Sequence, residues 1–196
     1  MDRIYFSAWL RGFTQHNMHV TFEKMLRLVP YSRLRPDAML TIHAVSYNEP
    51  TLLEHRFDHQ PEPAELIALS REYDNTDCAY QLETFWDLLS RDGTGEWKLQ
   101  PVPLSLTCYA PLFESGLGEQ VLIDFGVDTL FLPQAGTPDE LLAIQSNIRS
   151  LLHLTADVTK SLPVEKKTLW SESGENLAAR LEASLSSSLI SSAFRN

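Results

Sequence analysis

The groups in this chain that could do chemistry are six histidines, two cysteines and a large set of carboxylates, and their spacing decides what that chemistry would be. His16 and His19 could present two imidazoles near the start of a helix, and His55 and His59 straddle the end of a strand. Zinc needs three or four converging ligands, and neither pair has a third close by in sequence. These histidines are therefore expected in exposed loops, with no metal assigned. Glu83, Asp87, Asp124 and Asp128 alternate onto extended segments that could lie side by side. An acid/base pair or a divalent-ion site would need two of them within a few ångströms in a cleft, whereas period-two alternation alone places them on a solvated sheet face. Cys78 and Cys108 lack CxxC spacing, and Asp77 beside Cys78 disfavours its thiolate, so both are expected as reduced thiols of the core.

No GxSxG elbow, P-loop, GxGxxG or HExxH occurs. No catalytic residue, cofactor or metal ligand is assigned, which leaves enzymatic activity open, since triads assemble from distant positions. Of the four tryptophans, Trp9 and Trp86 are read as core and Trp97 as part of an extended run. Trp170 stands apart, because it precedes a serine-rich tail and could pin that tail to the body or to a neighbour.

The elements that must position these groups are clearest at 137–163, TPDELLAIQSNIRSLLHLTADVTKSLP. Thr137 with Glu140 fits a capping box, Pro138 suits the first helical position, and Pro163 ends the run. Leu141, Ile144, Ile148, Leu151, Val158 and Leu162 form a stripe broken only by Thr155. A helix this one-sided needs a broad apolar partner: a sheet of the same chain, or the same helix in a second copy.

Upstream, RIYFSAWL at 3–10 reads as a strand, and the face Met18, Phe22, Met25, Leu26, Val29 as a helix capped at Asn17. Strands at 39–46 and 51–57, a short helix over 63–73 and a strand at 79–89 follow. The strand at 79–89 turns Tyr80, Leu82, Thr84, Trp86 and Leu88 to one face. The β-α-β-β-α-β order is that of a ferredoxin-like unit. Trp97 to Phe113 continues extended, and the phase change across Pro101 and Pro103 predicts a bulge or an edge. Extended pieces at 120–125 and 127–132 complete a meander. A last helix from about Gly174 carries Leu177, Leu181, Leu185 and Leu189 four apart, with six serines between 184 and 192 lowering its propensity.

These elements predict an α+β fold with a largely antiparallel sheet: a ferredoxin-like βαββαβ order, a β-meander, a long helix and an accessory helix. A single domain is expected over 1–163, with 164–196 a C-terminal extension carrying an amphipathic helix. The formal charge of −10 disfavours nucleic acid, because counterion release needs clustered basic residues, and the densest group is only Arg27, Arg33 and Arg35. No segment approaches the roughly 20 apolar residues of a membrane span. Without a signal-like start, the protein is expected in the cytoplasm.

The function expected from these features is a non-catalytic module that self-associates or binds another protein, using Trp170, Leu177, Leu181, Leu185 and Leu189. The alternative is a small-molecule-binding protein or enzyme with an aromatic-lined pocket between sheet and helices, edged by Tyr, His and carboxylate groups. A metal-dependent hydrolase using the strand carboxylates has the least support.

Overall fold

The computed structural model describes residues 2–174 and 176–193, with side chains described as far as residue 186. Strands β1 (Arg3–Leu10), β2 (Ala38–Ala44), β3 (Leu53–Phe57), β4 (Cys78–Arg91), β5 (Trp97–Tyr109), β6 (Val121–Val127) and β7 (Val164–Ser171) form one sheet. Its order is β3-β2-β4-β5-β6-β1-β7, and every neighbouring pair is antiparallel. Helices α1 (Gln15–Leu26), α2 (Pro63–Arg71), α3 (Pro138–Ser161) and α4 (Leu177–Ala193) complete an α+β fold. No helix of the described residues is long and apolar enough to cross a membrane.

Period-two alternation assigns the sheet's two faces. Ile4, Phe6, Leu40, Ile42, Tyr80, Leu82, Trp86, Leu104, Leu106, Ile123 and Phe125 all point to one side and are buried in a single core. Helix α3 packs against β4 and β5, α1 against β5 and α2, and α4 against α3 and β7. The stripe on α3 thus finds its partner within the chain: Ile144, Ile148, Leu151 and Val158 are fully buried against this sheet. The opposite face, carrying Tyr5, Gln81, Glu83, Ser105 and Asp124, has no helix over it among the described residues.

The β1-α1-β2-β3-α2-β4 order along the chain is the one expected, but β5 and β6 lie between β4 and β1 in space. A ferredoxin-like relation therefore rests on chain order alone. The meander β4-β5-β6 forms, though without the bulge expected at the prolines. The β4–β5 ladder runs from Ala79↔Tyr109 to Arg91↔Trp97 with no register shift. Because β6 pairs with β5 only from Ser105 to Cys108, Pro101 and Pro103 lie beside an open edge, where a missing N–H leaves no ladder bond unmade. The phase change is a change of face, and Leu99 is 53% exposed.

Other expectations are corrected locally. After Val127 the chain forms a 3₁₀ turn, Asp128–Leu130, instead of a strand, because the Asp128 carbonyl accepts from both Phe131 and Leu132 N–H. Helix α1 starts after Thr14, ahead of Asn17, and the Asn17 side chain accepts from the Thr14 N–H as the third residue of a capping box. His19 is not a loop residue: it is buried on α1 and stacks on Tyr80 at 5.2 Å. Trp9 lies half-buried on the helix-free face under Lys166. Residues 164–171, at the start of the expected C-terminal extension, form the edge strand β7, paired to β1 from Ile4↔Ser171 to Leu10↔Val164. Its Glu165, Lys166 and Lys167 suit an edge, where charge discourages further pairing.

Polar contacts fix α3 in place. Thr137 Oγ1 accepts from the Glu140 N–H, and the buried Glu140 carboxylate accepts from the N–H groups of Gln134, Ala135 and Gly136 at 3.1, 2.9 and 2.6 Å. Burial alone would raise the Glu140 pKa, but these backbone donors outweigh it and the net shift is downward. Asn147, 1% exposed, exchanges two bonds with the backbone of Leu89 and donates to the Leu130 carbonyl. Gln145 donates to the Ser184 carbonyl and so ties α4 to α3.

Two predictions follow from the seating of α3. Ile148→Ala or Leu151→Ala should each cost about 2 to 5 kcal/mol in chemical denaturation, and an unchanged midpoint would place the stripe outside the core. A carboxylate whose folded pKa is depressed contributes stability above its ordinary pKa, near 4.5, and loses it as the pH falls through the folded value. Glu140→Gln should therefore lower stability at neutral pH by roughly 1 to 3 kcal/mol and flatten its decline below about pH 4.5. A variant that keeps the wild-type acid slope would contradict this.

Candidate functional site

Strand β4 outruns its neighbour β2. The two pair only from Cys78 to Glu83, so among the described residues β4 beyond Glu83 has no strand on that side. Other groups satisfy it there. The Ser32 N–H donates to the Phe85 carbonyl at 2.7 Å, and Asn147 of α3 takes both backbone groups of Leu89. The Asp87 side chain holds the covering segment in place, accepting from the Ser32 hydroxyl and from the Arg33 N–H. Ser32 Oγ in turn accepts from the N–H groups of Leu34 and Arg35, which makes a tight turn after Pro30.

Between this segment and the middle of α3 lies a cleft of about 450 Å³, within the range of small-molecule sites. Leu28, Pro30 and Leu154 supply apolar wall, and Trp86 and Tyr31 supply aromatic wall. Helix spacing puts Ser150, His153, Leu154 and Asp157 on the same side of α3. Arg33, His153 and Asp157 are exposed at the rim.

The interior of this wall is incompletely paired. Trp86 is 2% exposed and packs near Phe125 and Phe131, with ring centroids at 5.7 and 6.2 Å. Its indole Nε1–H is buried and meets no acceptor among the described residues, and the same holds for the Tyr31 hydroxyl. Burial, with the charge of Glu62 second, raises the Tyr31 pKa well above its ordinary value, so the phenol keeps its proton. Two residues of the lining thus carry buried, uncharged donors that lack a partner among the described residues, beside neighbours that are both apolar and polar.

The helix-free face carries a second depression of about 370 Å³, with Arg3, Arg35, Asp37, Arg56, Glu83 and Asp124 around it. Two of its three carboxylates are already paired. Asp124 binds the Arg3 guanidinium at 2.7 Å, and Asp37 binds Arg35 at 2.8 Å with Arg56 at 3.7 Å. Arg35 also lies over the Phe85 ring at 3.8 Å. Asp37 is held below the usual carboxylate range, first by its bond to Arg35. Beside this depression Tyr5 stacks on Trp170 at 4.5 Å, and burial, followed by the Asp124 charge, pushes the Tyr5 phenol up to about 12.

At the other end of the same face, Val45 takes φ +66°, a conformation that a β-branched residue adopts only under strain. The turn brings Tyr47 back over the sheet, its ring 4.8 Å from His43 and its hydroxyl 2.9 Å from that of Tyr109. His43 Nε2 bonds Gln81, whose amide donates to Ser105.

The sequence candidates fall as follows. Glu83 and Asp124 share the helix-free face with Ser105 between them, which separates their strands by about 10 Å. Asp87 is taken up by the Ser32 turn, and Asp128 sits in the 3₁₀ segment. His16, His55 and His59 are exposed on separate elements. Cys78 and Cys108 are free and buried on adjacent strands, and burial raises both thiols' pKa values. Trp170 donates its N–H to Ser7. Leu177 and Leu181 are buried and Leu185 partly so in the core, while the Leu189 side chain lies outside the described residues. The interaction residues described therefore pack onto their own fold.

Sequence reasoning missed Tyr31, Ser32 and His153. Tyr31 and Ser32 lie in an irregular loop with no period, but the polar run YSR after Pro30 does signal a turn. His153 and Asp157 are four apart on the long helix, which puts them on one side of it, yet nothing in sequence says that Trp86 would lie across from them. No protein-family model, curated protein or solved structure matches this chain.

Proposed function

We propose that the chain is a small-molecule-binding protein whose site is the cleft between α3 and the 30–36 segment. The observation that carries this reading is the cleft itself, whose lining includes Trp86 and Tyr31, two residues whose buried donors have no partner among the described residues. An unpaired buried donor costs about 1 to 3 kcal/mol, and most buried polar groups of folded proteins are paired. A ligand acceptor offsets that cost when it binds, which is how stability is traded for a binding site. The surround has the expected make-up: apolar walls, two aromatic rings, and His and carboxylate groups at the rim.

A second reading, a self-associating or protein-binding module, is favoured by the helix-free sheet face, where the Tyr5–Trp170 stack adjoins the edge strand β7. Under it, sedimentation of the full-length protein should show a concentration-dependent dimer that Trp170→Ala weakens. A monomer throughout the micromolar range would count against it.

For the cleft, the decisive variant is Tyr31→Phe, which removes the hydroxyl and keeps the ring. With no partner to lose, the ligand-free variant should be more stable than the parent by about 1 kcal/mol, seen as a melting point roughly 2 to 4 °C higher for a chain of this size. A lower melting point would mean that the hydroxyl is already bonded within the protein, and the cleft would lose its main support.

A further inference from the structure

We infer that the open edge of β3 is a self-association surface, on which β3 of a second copy of this chain pairs antiparallel about a two-fold axis at His55; the inference is independent of the cleft. Strand β3 is the last on its side of the sheet among the described residues. The ladders say which of its backbone groups lie open. At the end of the β2–β4 pairing the Val45 N–H donates to the Asp77 carbonyl at 2.7 Å, so alternation gives the odd-numbered residues of β2 to β4 and the even-numbered ones to β3. The bond from the Leu52 N–H to the Ile42 carbonyl, at 2.8 Å, agrees. Ala38, Leu40 and Ile42 therefore bond Phe57, His55 and Leu53, and the N–H and C=O groups of Glu54 and Arg56 point away from the sheet. No loop backbone among the described residues takes them up.

Charge on an edge strand ordinarily discourages further pairing, but the order of charges here selects one partner. A second β3 can exchange ladder bonds only through Glu54 and Arg56, which leaves a short choice of registers. Glu54 opposite its own copy sets like charges together. Arg56 opposite its own copy does the same and also brings Glu54 opposite Asp58. Glu54 opposite Arg56 forms an opposite-charge pair on each side of the axis, and each such pair exchanges two backbone hydrogen bonds. Directly opposed unlike charges stabilise a sheet and like charges destabilise it, so the last register wins. His55 then meets its own copy at the axis, and Leu53 of each copy lies opposite Phe57 of the other, which adds an aliphatic–aromatic pair at each end.

The two charged side chains are available for this contact. Glu54 is exposed and makes no ion pair among the described residues. The Arg56 side chain is 73% exposed and reaches only Asp37, at 3.7 Å, where Arg35 already sits at 2.8 Å. Such a contact is isologous: the same residues serve on both copies, and the dimer closes. A strand of five residues makes a small interface, so the dimer is weak and concentration-dependent.

The test is sedimentation of the full-length protein from micromolar concentrations upward. The parent chain should dimerise, and Glu54→Arg and Arg56→Glu should each weaken the dimer about tenfold or more, because each turns both cross-strand pairs into like charges. An equimolar mixture of the two single variants should recover the dimer, since one brings two bases to the edge and the other two acids. The double variant Glu54→Arg/Arg56→Glu should recover it alone. Recovery in the mixture also shows that both single variants are folded. Trp170→Ala should leave the affinity unchanged. A parent chain that stays monomeric, or a dimer that the single charge variants leave intact, would overturn the inference. So would single variants that lose the dimer and do not regain it when mixed. A dimer weakened by Trp170→Ala and not by the β3 variants would place the contact at β7 and overturn it as well.

Discussion

A seven-stranded sheet with one apolar face cannot exist in water until that face is covered, and the covering by α3 is the constraint on which the rest of this structure depends. Ile144, Ile148, Leu151 and Val158 lie on one side of a 24-residue helix and are fully buried against β4 and β5. The ends of α3 are fixed by chemistry independent of that stripe, through Thr137, Glu140 and the loop at 134–136. Helix α4 then rests on α3, with Leu177 and Leu181 buried and Gln145 tying the two helices. Where that helix lies decides which part of β4 it can cover.

The cleft results from a mismatch of lengths. Strand β4 has 14 residues and β2 only 7, so half of one edge of β4 needs partners that are not strands. Asn147 and the Ser32 turn provide them. Both solutions are local and neither fills the volume between them. Trp86, the largest fully buried side chain among the described residues, lines that region from β4, and its indole Nε1–H meets no acceptor among them. The helix-free face differs in kind, since Arg3 pairs with Asp124, Arg35 and Arg56 pair with Asp37, and its Gln81, Ser105 and His43 are linked by hydrogen bonds.

Period and punctuation made most of the elements legible in sequence. Alternation over Cys78–Arg91 sorted Trp86 and Leu88 from Glu83 and Asp87 correctly, and caps and prolines placed α3 to within a residue. Strand neighbours were not legible, because β1 pairs with β6 and β7, more than a hundred residues away, and alternation says nothing about partner choice. Strand β7 was missed because Glu165, Lys166 and Lys167 interrupt the apolar pattern, as edge strands do. The cleft lay beyond reach for the same reason: Tyr31 and Trp86 are 55 positions apart, and their meeting depends on a loop held by Asp87, a residue that period two marks only as solvated. Asn147 was equally silent, a polar residue buried on a helix for the sake of a strand edge.

A high-resolution crystal structure of the full-length protein tests the central claim most directly. The cleft between α3 and the 30–36 segment should be open, with no protein acceptor within hydrogen-bond distance of Trp86 Nε1 or Tyr31 Oη. A protein acceptor bonded to either donor, or a closed cleft, would contradict it.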